Sequence, residues 1–209
     1  ETLDGEEWRL DPPKAATGAQ RIAVVKDKAQ AFIWLGVPGV GLGHEDFPAL
    51  GVLNTILGSS SQARLFSRLR GKEGLAYGTY SSILAGQGTG LVLANIGTRP
   101  EMYEAAVAGL RREMTELKNA GPTEEEVTDA ITYLVGTFAQ GHQGHLALAN
   151  YASANLARNL PWDFEYDLLE RQQQVTLEDV RRVAAQYLDV TNHWIAVTGP
   201  VYQPPANLE

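Results

Sequence analysis

The chain has 209 residues, of which 44% are hydrophobic and 20% are charged, and this length and balance predict one sizeable domain with its own core. The net charge of −8 argues against nucleic acid and against an anionic membrane surface, because both select basic faces. Cysteine is absent, which excludes disulfides and thiolate zinc sites, and no apolar run reaches the roughly 18–20 residues of a membrane span.

The first segment is polar, acidic and interrupted by Pro12, Pro13 and Gly18, so residues 1–18 are predicted to be a linker or arm outside the core. Since the chain begins with Glu1 rather than Met, we expect it to be part of a longer protein. Two strands follow, at residues 21–25 and 30–37, and Pro38-Gly39 is predicted to end the second.

A helix is predicted over residues 45–57, with Gly58 as its stop. Serines 59–61 offer caps for a second helix over residues 62–72. Gly74 permits a sharp reversal into a strand at residues 76–84. A hairpin at residues 86–88 then returns the chain as a strand at residues 91–96.

The second part of the chain is predicted to be helical. Thr98 and Glu101 have the spacing of a capping box for a long helix, and Thr123 and Glu126 have it for the next. The expected buried seam of the first is Tyr103, Val107, Leu110, Met114 and Leu117, and that of the second is Val127, Ile131, Leu134 and Phe138. Helices at residues 146–158, 163–174 and 177–187 and a strand at 193–198 complete the pattern. Strands before and after a helical block predict an α+β fold. We expect a two-layer sandwich in which a mostly antiparallel sheet is packed on one face by helices. This domain is predicted to span residues 19–200 and to be followed by a tail at residues 201–209.

The segment with the clearest chemical potential runs from Ser61 to Tyr77. It places Arg70 at a helix end and Tyr77 at a strand start, with a glycine-containing turn between them. A guanidinium and a phenol both donate hydrogen bonds at neutral pH, which suits holding a carbonyl oxygen on which negative charge develops. The alternative is structural: Arg70 interacts with the helix dipole and Tyr77 is a half-buried strand aromatic. From the residues alone both interpretations stay open.

No metal site is predicted. His44-Glu45 resembles the beginning of H-E-x-x-H, but Pro48 stands where the second histidine belongs, so a loop before a helix is expected. His142 and His145 have i, i+3 spacing but lie among glycines, which favours a helix junction. The acidic run at residues 124–126 suits the first turn of a capped helix, and residues 86–90 lack the ending of a phosphate loop.

The motifs resemble a known family. The C-terminal homologous domain in insulinase, pitrilysin and mitochondrial processing peptidases has the signature "S-R-L-F … R-E-K-x-G-L-A-Y". This chain has a similar run: Arg64-Leu65-Phe66, followed by Leu69-Arg70-Gly71-Lys72-Glu73-Gly74-Leu75-Ala76-Tyr77. Gly71 replaces the acidic residue of the signature. Residues 53–58, 175–188 and 196–199 also match the family pattern, so the resemblance covers roughly residues 19–200. It implies that Arg70 and Tyr77 contact the substrate carbonyl.

The resemblance further implies that two such domains close around a peptide or unfolded polypeptide. In that family zinc lies on an inverted H-x-x-E-H helix, and no such run occurs here. We therefore expect no cofactor in this fragment, zinc in a partner half that is an N-terminal domain or a partner subunit, and no activity from these 209 residues alone.

The sequence leaves the catalytic status, the compartment and the oligomeric state of the complete protein undecided. The alternative is that the chain is half of a non-catalytic family member that acts as a binding or assembly subunit. A bacterial source is expected, with the cytoplasm favoured and the periplasm as the alternative. A homodimer or a heterodimer would each be compatible with the family.

Overall fold

A five-stranded sheet forms one layer of the described part of the protein. The computed structural model describes residues 18–86 and 88–200. The strands are β1 (Gln20–Val25), β2 (Ala31–Val40), β3 (Gly78–Ala85), β4 (Thr89–Thr98) and β5 (Trp194–Gly199), in the order β1-β5-β2-β4-β3. The β1–β5 pair is parallel and the other three pairs are antiparallel. The last strand therefore lies inside the sheet, whereas β3 forms one edge.

Helices form the second layer. The α-helices are α1 (Phe47–Asn54), α2 (Tyr103–Ala120), α3 (Glu124–Gly141), α4 (His145–Ala157), α5 (Phe164–Gln173) and α6 (Leu177–Tyr187). Two π-helical segments, Thr55–Ser59 and Leu65–Lys72, and a 3₁₀ turn, Pro100–Met102, complete the set. No helix among residues 18–86 and 88–200 is both long enough and apolar enough to cross a membrane.

The core lies between the two layers. Ile33, Leu35 and Val37 alternate along β2 on the helix-facing side and are fully buried. All five residues of the predicted α2 seam are buried, as the 3.6-residue period requires. On the opposite face of the sheet, Phe32 remains 45% exposed. The α+β prediction with helices packed on one face is confirmed.

The prediction that Pro38-Gly39 ends β2 is wrong, because the strand continues to Val40. β2 pairs with β5 only from Phe32 to Gly36, whereas its pairing with β4 runs on to Val40. Pro38 thus sits where β2 has a neighbouring strand on one side only, and such edge-like positions are where proline is found within sheets.

The prediction that Gly58 stops the first helix is also wrong. The chain passes from α1 directly into the π-helix Thr55–Ser59. Gly58 is buried here, and a Cβ at this position would collide with the backbone nitrogen of Ser81 on β3. Its role is therefore a close approach between helix and sheet. The serines do not cap the following helix either, since its N-cap is Arg64 and makes no side-chain cap.

Thr98 and Glu101 do not form the predicted capping box. α2 begins at Tyr103, and its N-cap, Met102, makes no side-chain cap. Pro100 disfavours helical backbone at the residue before it, and Arg99 is extended, with φ −70° and ψ 145°. The Thr98 hydroxyl instead donates to the carbonyl of Leu75 at 2.6 Å.

The second predicted capping box is confirmed. Thr123 accepts from the backbone N–H of Glu126, and the Glu126 carboxylate accepts from the N–H of Thr123. The predicted α3 seam is only partly buried: Val127 is in the core, but Phe138 is not among the buried residues because the end of α3 leaves the core.

The predicted arm at residues 1–18 and the tail at 201–209 lie outside the described residues apart from Gly18.

Candidate functional site

The Arg70 helix, by which we mean the π-helix Leu65–Lys72, presents the first candidate residue. Leu65 and Leu69 are fully buried and fix this helix to the core. The chain then reverses: the N–H of Leu75 donates to the carbonyl of Leu69 at 2.9 Å, while Gly74 takes a left-handed conformation with φ +64°. The predicted glycine reversal between Arg70 and Tyr77 is therefore present.

Tyr77 lies immediately before edge strand β3, and the backbone around it is fixed. Its N–H donates to the carbonyl of Gly97 at 2.9 Å. Two residues earlier, the carbonyl of Leu75 accepts from the buried hydroxyl of Thr98. The Tyr77 side chain itself is 56% exposed, so its phenol is open to a ligand.

Arg70 is exposed at the end of its helix. Its guanidinium carbon lies 4.6 Å from the centroid of the Phe66 ring, within the range of a cation–π contact. Within residues 18–86 and 88–200 no hydrogen bond or ion pair engages its N–H donors. These donors are therefore open to an acceptor from another molecule.

Arg64, at the beginning of the same helix, is by contrast engaged by a carboxylate. Its Nε and one terminal nitrogen donate to the two oxygens of Glu126 at 2.7 Å each, and that terminal nitrogen also reaches the carbonyl of Gly121 at 3.1 Å. Burial favours the neutral acid, but the hydrogen bonds from Arg64 and Thr123 outweigh it, so the pKa of Glu126 lies below its ordinary value. This pair joins the Arg70 helix to α3.

A second set of charges joins the Arg70 helix to α2. Arg68 donates to Glu113 at 2.8 Å and to Glu116 at 2.7 Å. Arg112 bridges the buried Glu113 to Glu73, just beyond the helix end. These contacts tie the middle of the helix, and the residue just beyond its end, to α2.

The histidine candidates have structural positions. His44 lies in the loop before α1, where its Nδ1 accepts from the N–H of Asp46 at 3.0 Å. His142 ends α3 and is stacked on Phe138 at 3.8 Å, while His145 begins α4. In the part of the chain that the structure describes, no group of three His, Asp or Glu side chains could hold a metal ion.

Sequence reasoning missed three supports of the candidate site. Phe66 could have been found, because a residue four positions before Arg70 lies on the same side of a helix. Thr98 was misassigned to a helix cap. The contact of Arg68 with Glu113 joins residues 45 positions apart, and no local pattern indicates it.

The fold and the site define an α+β domain that presents an exposed arginine and tyrosine beside a sheet edge. The sequence matches the family described as the peptidase M16 inactive domain over residues 2–134. The chain belongs to that family and is the inactive C-terminal half of an M16 zinc protease-like protein.

Two relatives show the breadth of the family. The chain is 32% identical, over 93% of its length, to an uncharacterized zinc protease of Streptomyces coelicolor. It is 24% identical, over 82% of its length, to a non-peptidase homolog of Helicobacter pylori. It spans 42% and 40% of these two proteins, respectively, so less than half of each relative is compared.

Solved structures share the fold. The crystal structure of a peptidase M16 inactive domain from Pseudomonas fluorescens matches 95% of this chain with a TM-score of 0.80 and 28% identity, and the match covers 47% of that chain. A protease from Helicobacter pylori matches 93% of this chain with a TM-score of 0.81 and 22% identity, and covers 48% of that chain. At such identity the second match concerns the fold alone.

Proposed function

We propose that this chain is the substrate-binding, non-metal half of a zinc metallopeptidase that degrades or processes peptides. The observation that carries the proposal is the exposure of Arg70 and Tyr77 on either side of one reversal, while neighbouring Arg64 and Arg68 are engaged by carboxylates. A helix on which one arginine makes no ion pair with the described residues is suited to receive a ligand. The family assignment supports a peptide as that ligand.

The two side chains would act on the carbonyl oxygen of the substrate. The Arg70 guanidinium carries a permanent positive charge and several N–H donors, and the Tyr77 hydroxyl is a neutral donor. Donors already in place when negative charge develops on an oxygen stabilise that charge without reorganising. The described residues do not fit a zinc site, so in this proposal the metal belongs to the other half, whether on the same chain or on a partner chain.

The test uses the complete protein and a fluorescence-quenched peptide. Arg70→Ala and Tyr77→Phe should each lower kcat/KM by about 100-fold, the usual cost of one lost donor to developing charge. Most of the loss should fall on kcat. Arg181→Ala and Tyr166→Phe, exposed positions on α6 and α5, are the matched controls and should leave turnover unchanged. Wild-type turnover in both site variants would refute the proposal.

The second candidate is a binding or assembly subunit without peptidase activity. The similarity to a protein named a non-peptidase homolog supports this candidate. In that case the complete protein would bind an unfolded peptide but would not cleave it with zinc present. Arg70→Ala would then raise the Kd for the peptide, and neither the wild type nor the variant would cleave it.

A further inference from the structure

The Arg70 helix directs its side chains toward three different environments. Leu65 and Leu69 enter the core, and Arg64 and Arg68 meet the carboxylates of α3 and α2. Phe66 and Arg70 share the remaining side, where Phe66 is half-buried and Arg70 is exposed. The only ring that the structure places against the Arg70 guanidinium, among the described residues, is Phe66 at 4.6 Å.

This contact is compatible with hydrogen bonding by Arg70. A guanidinium is planar, and its N–H bonds lie in the plane, so a ring stacked on one face leaves the donors at the edge free. The ring quadrupole attracts the cation, and the half-buried ring offers it a fixed surface. An arginine without such support would lose more conformational freedom when it binds a ligand.

We propose that Phe66 is a positioning residue that holds the Arg70 guanidinium ready for the substrate. This inference rests on the proposed function of Arg70. Phe66 would not contact the substrate carbonyl itself and would act through Arg70. Its aromatic ring, rather than its apolar volume, is the property required.

The first experiment separates ring from volume in the complete protein. Phe66→Leu keeps an apolar side chain but removes the ring, and it should lower kcat/KM by about two- to fivefold, the factor expected for a cation–π contact at an exposed site. Phe66→Tyr keeps the ring and should restore wild-type kinetics. Thermal unfolding of both variants reports whether the fold is intact. Equal activity of Phe66→Leu and Phe66→Tyr, with both folded, would overturn the inference.

The second experiment is a double-mutant cycle with Arg70→Ala, which removes the residue that Phe66 is proposed to hold. Adding Phe66→Leu to Arg70→Ala should cause no further loss of kcat/KM. If Phe66→Leu costs the same factor with and without Arg70, Phe66 acts through the fold and the inference is wrong.

The same cycle distinguishes the two proposals. A large effect of Arg70→Ala without coupling to Phe66 would leave the proposed function standing and reject only the positioning role. Wild-type kinetics of Arg70→Ala would reject the positioning role, and wild-type kinetics of both Arg70→Ala and Tyr77→Phe would reject the proposed function as well. If the complete protein cleaves nothing, binding of a fluorescein-labelled unfolded peptide gives the same cycle through its Kd, and additive changes in Kd would again reject the role of Phe66.

Discussion

Glu126→Gln should destabilise the protein through the anchor between α3 and the Arg70 helix. The carboxylate accepts two hydrogen bonds from Arg64 and one, at 2.8 Å, from the N–H of Thr123. An amide has only one oxygen, so its nitrogen would face an N–H donor. The Arg64 side chain is 9% exposed, and its charge would therefore remain largely buried without a countercharge.

The magnitude follows from this burial. Breaking a buried ion pair by removing one partner costs about 3–5 kcal/mol, and since the Glu126 side chain is 28% exposed we expect a lower value, about 2–3 kcal/mol. For a domain of this size that corresponds to a fall in Tm of roughly 4–12 °C. Urea unfolding followed by circular dichroism measures the free energy directly. Glu125→Gln removes the same charge from the same helical turn at an exposed position, so it controls for the helix dipole.

The pH dependence gives an independent check. Because the pKa of Glu126 is lowered in the folded state, its stabilising contribution is present above the ordinary value of 4.5 and is lost as the pH falls through the folded value. The difference in unfolding free energy between wild type and Glu126→Gln should therefore shrink at acid pH. A difference below about 0.5 kcal/mol at pH 7, or one equally large at pH 3, would refute the reasoning from a buried pair.

Two further predictions concern buried hydrogen bonds. Thr98→Val keeps the side-chain shape but leaves the carbonyl of Leu75 without its donor, so urea unfolding should show a loss of about 1–3 kcal/mol; no loss would contradict the assigned bond. Tyr187→Phe removes the hydroxyl that donates to the buried Asp46 at 2.7 Å and should cost about 1.5–3 kcal/mol. Burial and the Asp46 carboxylate raise the pKa of Tyr187 to about 12, so wild-type stability should fall as the pH rises from 10 toward 12; an equal fall in Tyr187→Phe would contradict that cause.

Periodicity predicted those parts of the fold in which one face of an element is buried. The α2 seam from Tyr103 to Leu117 is buried as expected, because its spacing of three and four residues follows the turns of a helix. α4 shows the limit of the method: its bounds, His145–Ala157, are close to those predicted, yet only Asn155 is buried. An apolar composition can therefore predict a helix without revealing how little of it packs.

Predictions from the sequence were wrong where a local pattern competed with a tertiary contact. Thr98 and Glu101 match a capping box, but Pro100 between them excludes helical backbone at Arg99, and this could have been recognised from the sequence. The partner that the Thr98 hydroxyl takes instead, the carbonyl of Leu75, lies 23 residues earlier and became visible only in the fold. The chain reversal between Arg70 and Tyr77 was predictable because it depends on a local glycine. The carboxylates that hold the Arg70 helix lie on α2 and α3, far away in sequence.

In the proposed function, the contacts of the Arg70 helix with its neighbours would place Arg70 accurately, although the described residues hold no metal site. Placing a charged donor accurately requires that the helix carrying it does not move when the ligand binds, since ordering it at that moment would reduce affinity and rate. Here the ordering is completed during folding, through Leu65 and Leu69 in the core and through Arg64 and Arg68 on neighbouring helices. Among the residues that the structure describes, the exposed part of this helix is its last turn, Arg70 to Lys72. The same contacts that stabilise the fold thus set the position of Arg70, and this is why the buried pair of Arg64 with Glu126 bears on both stability and the proposed function.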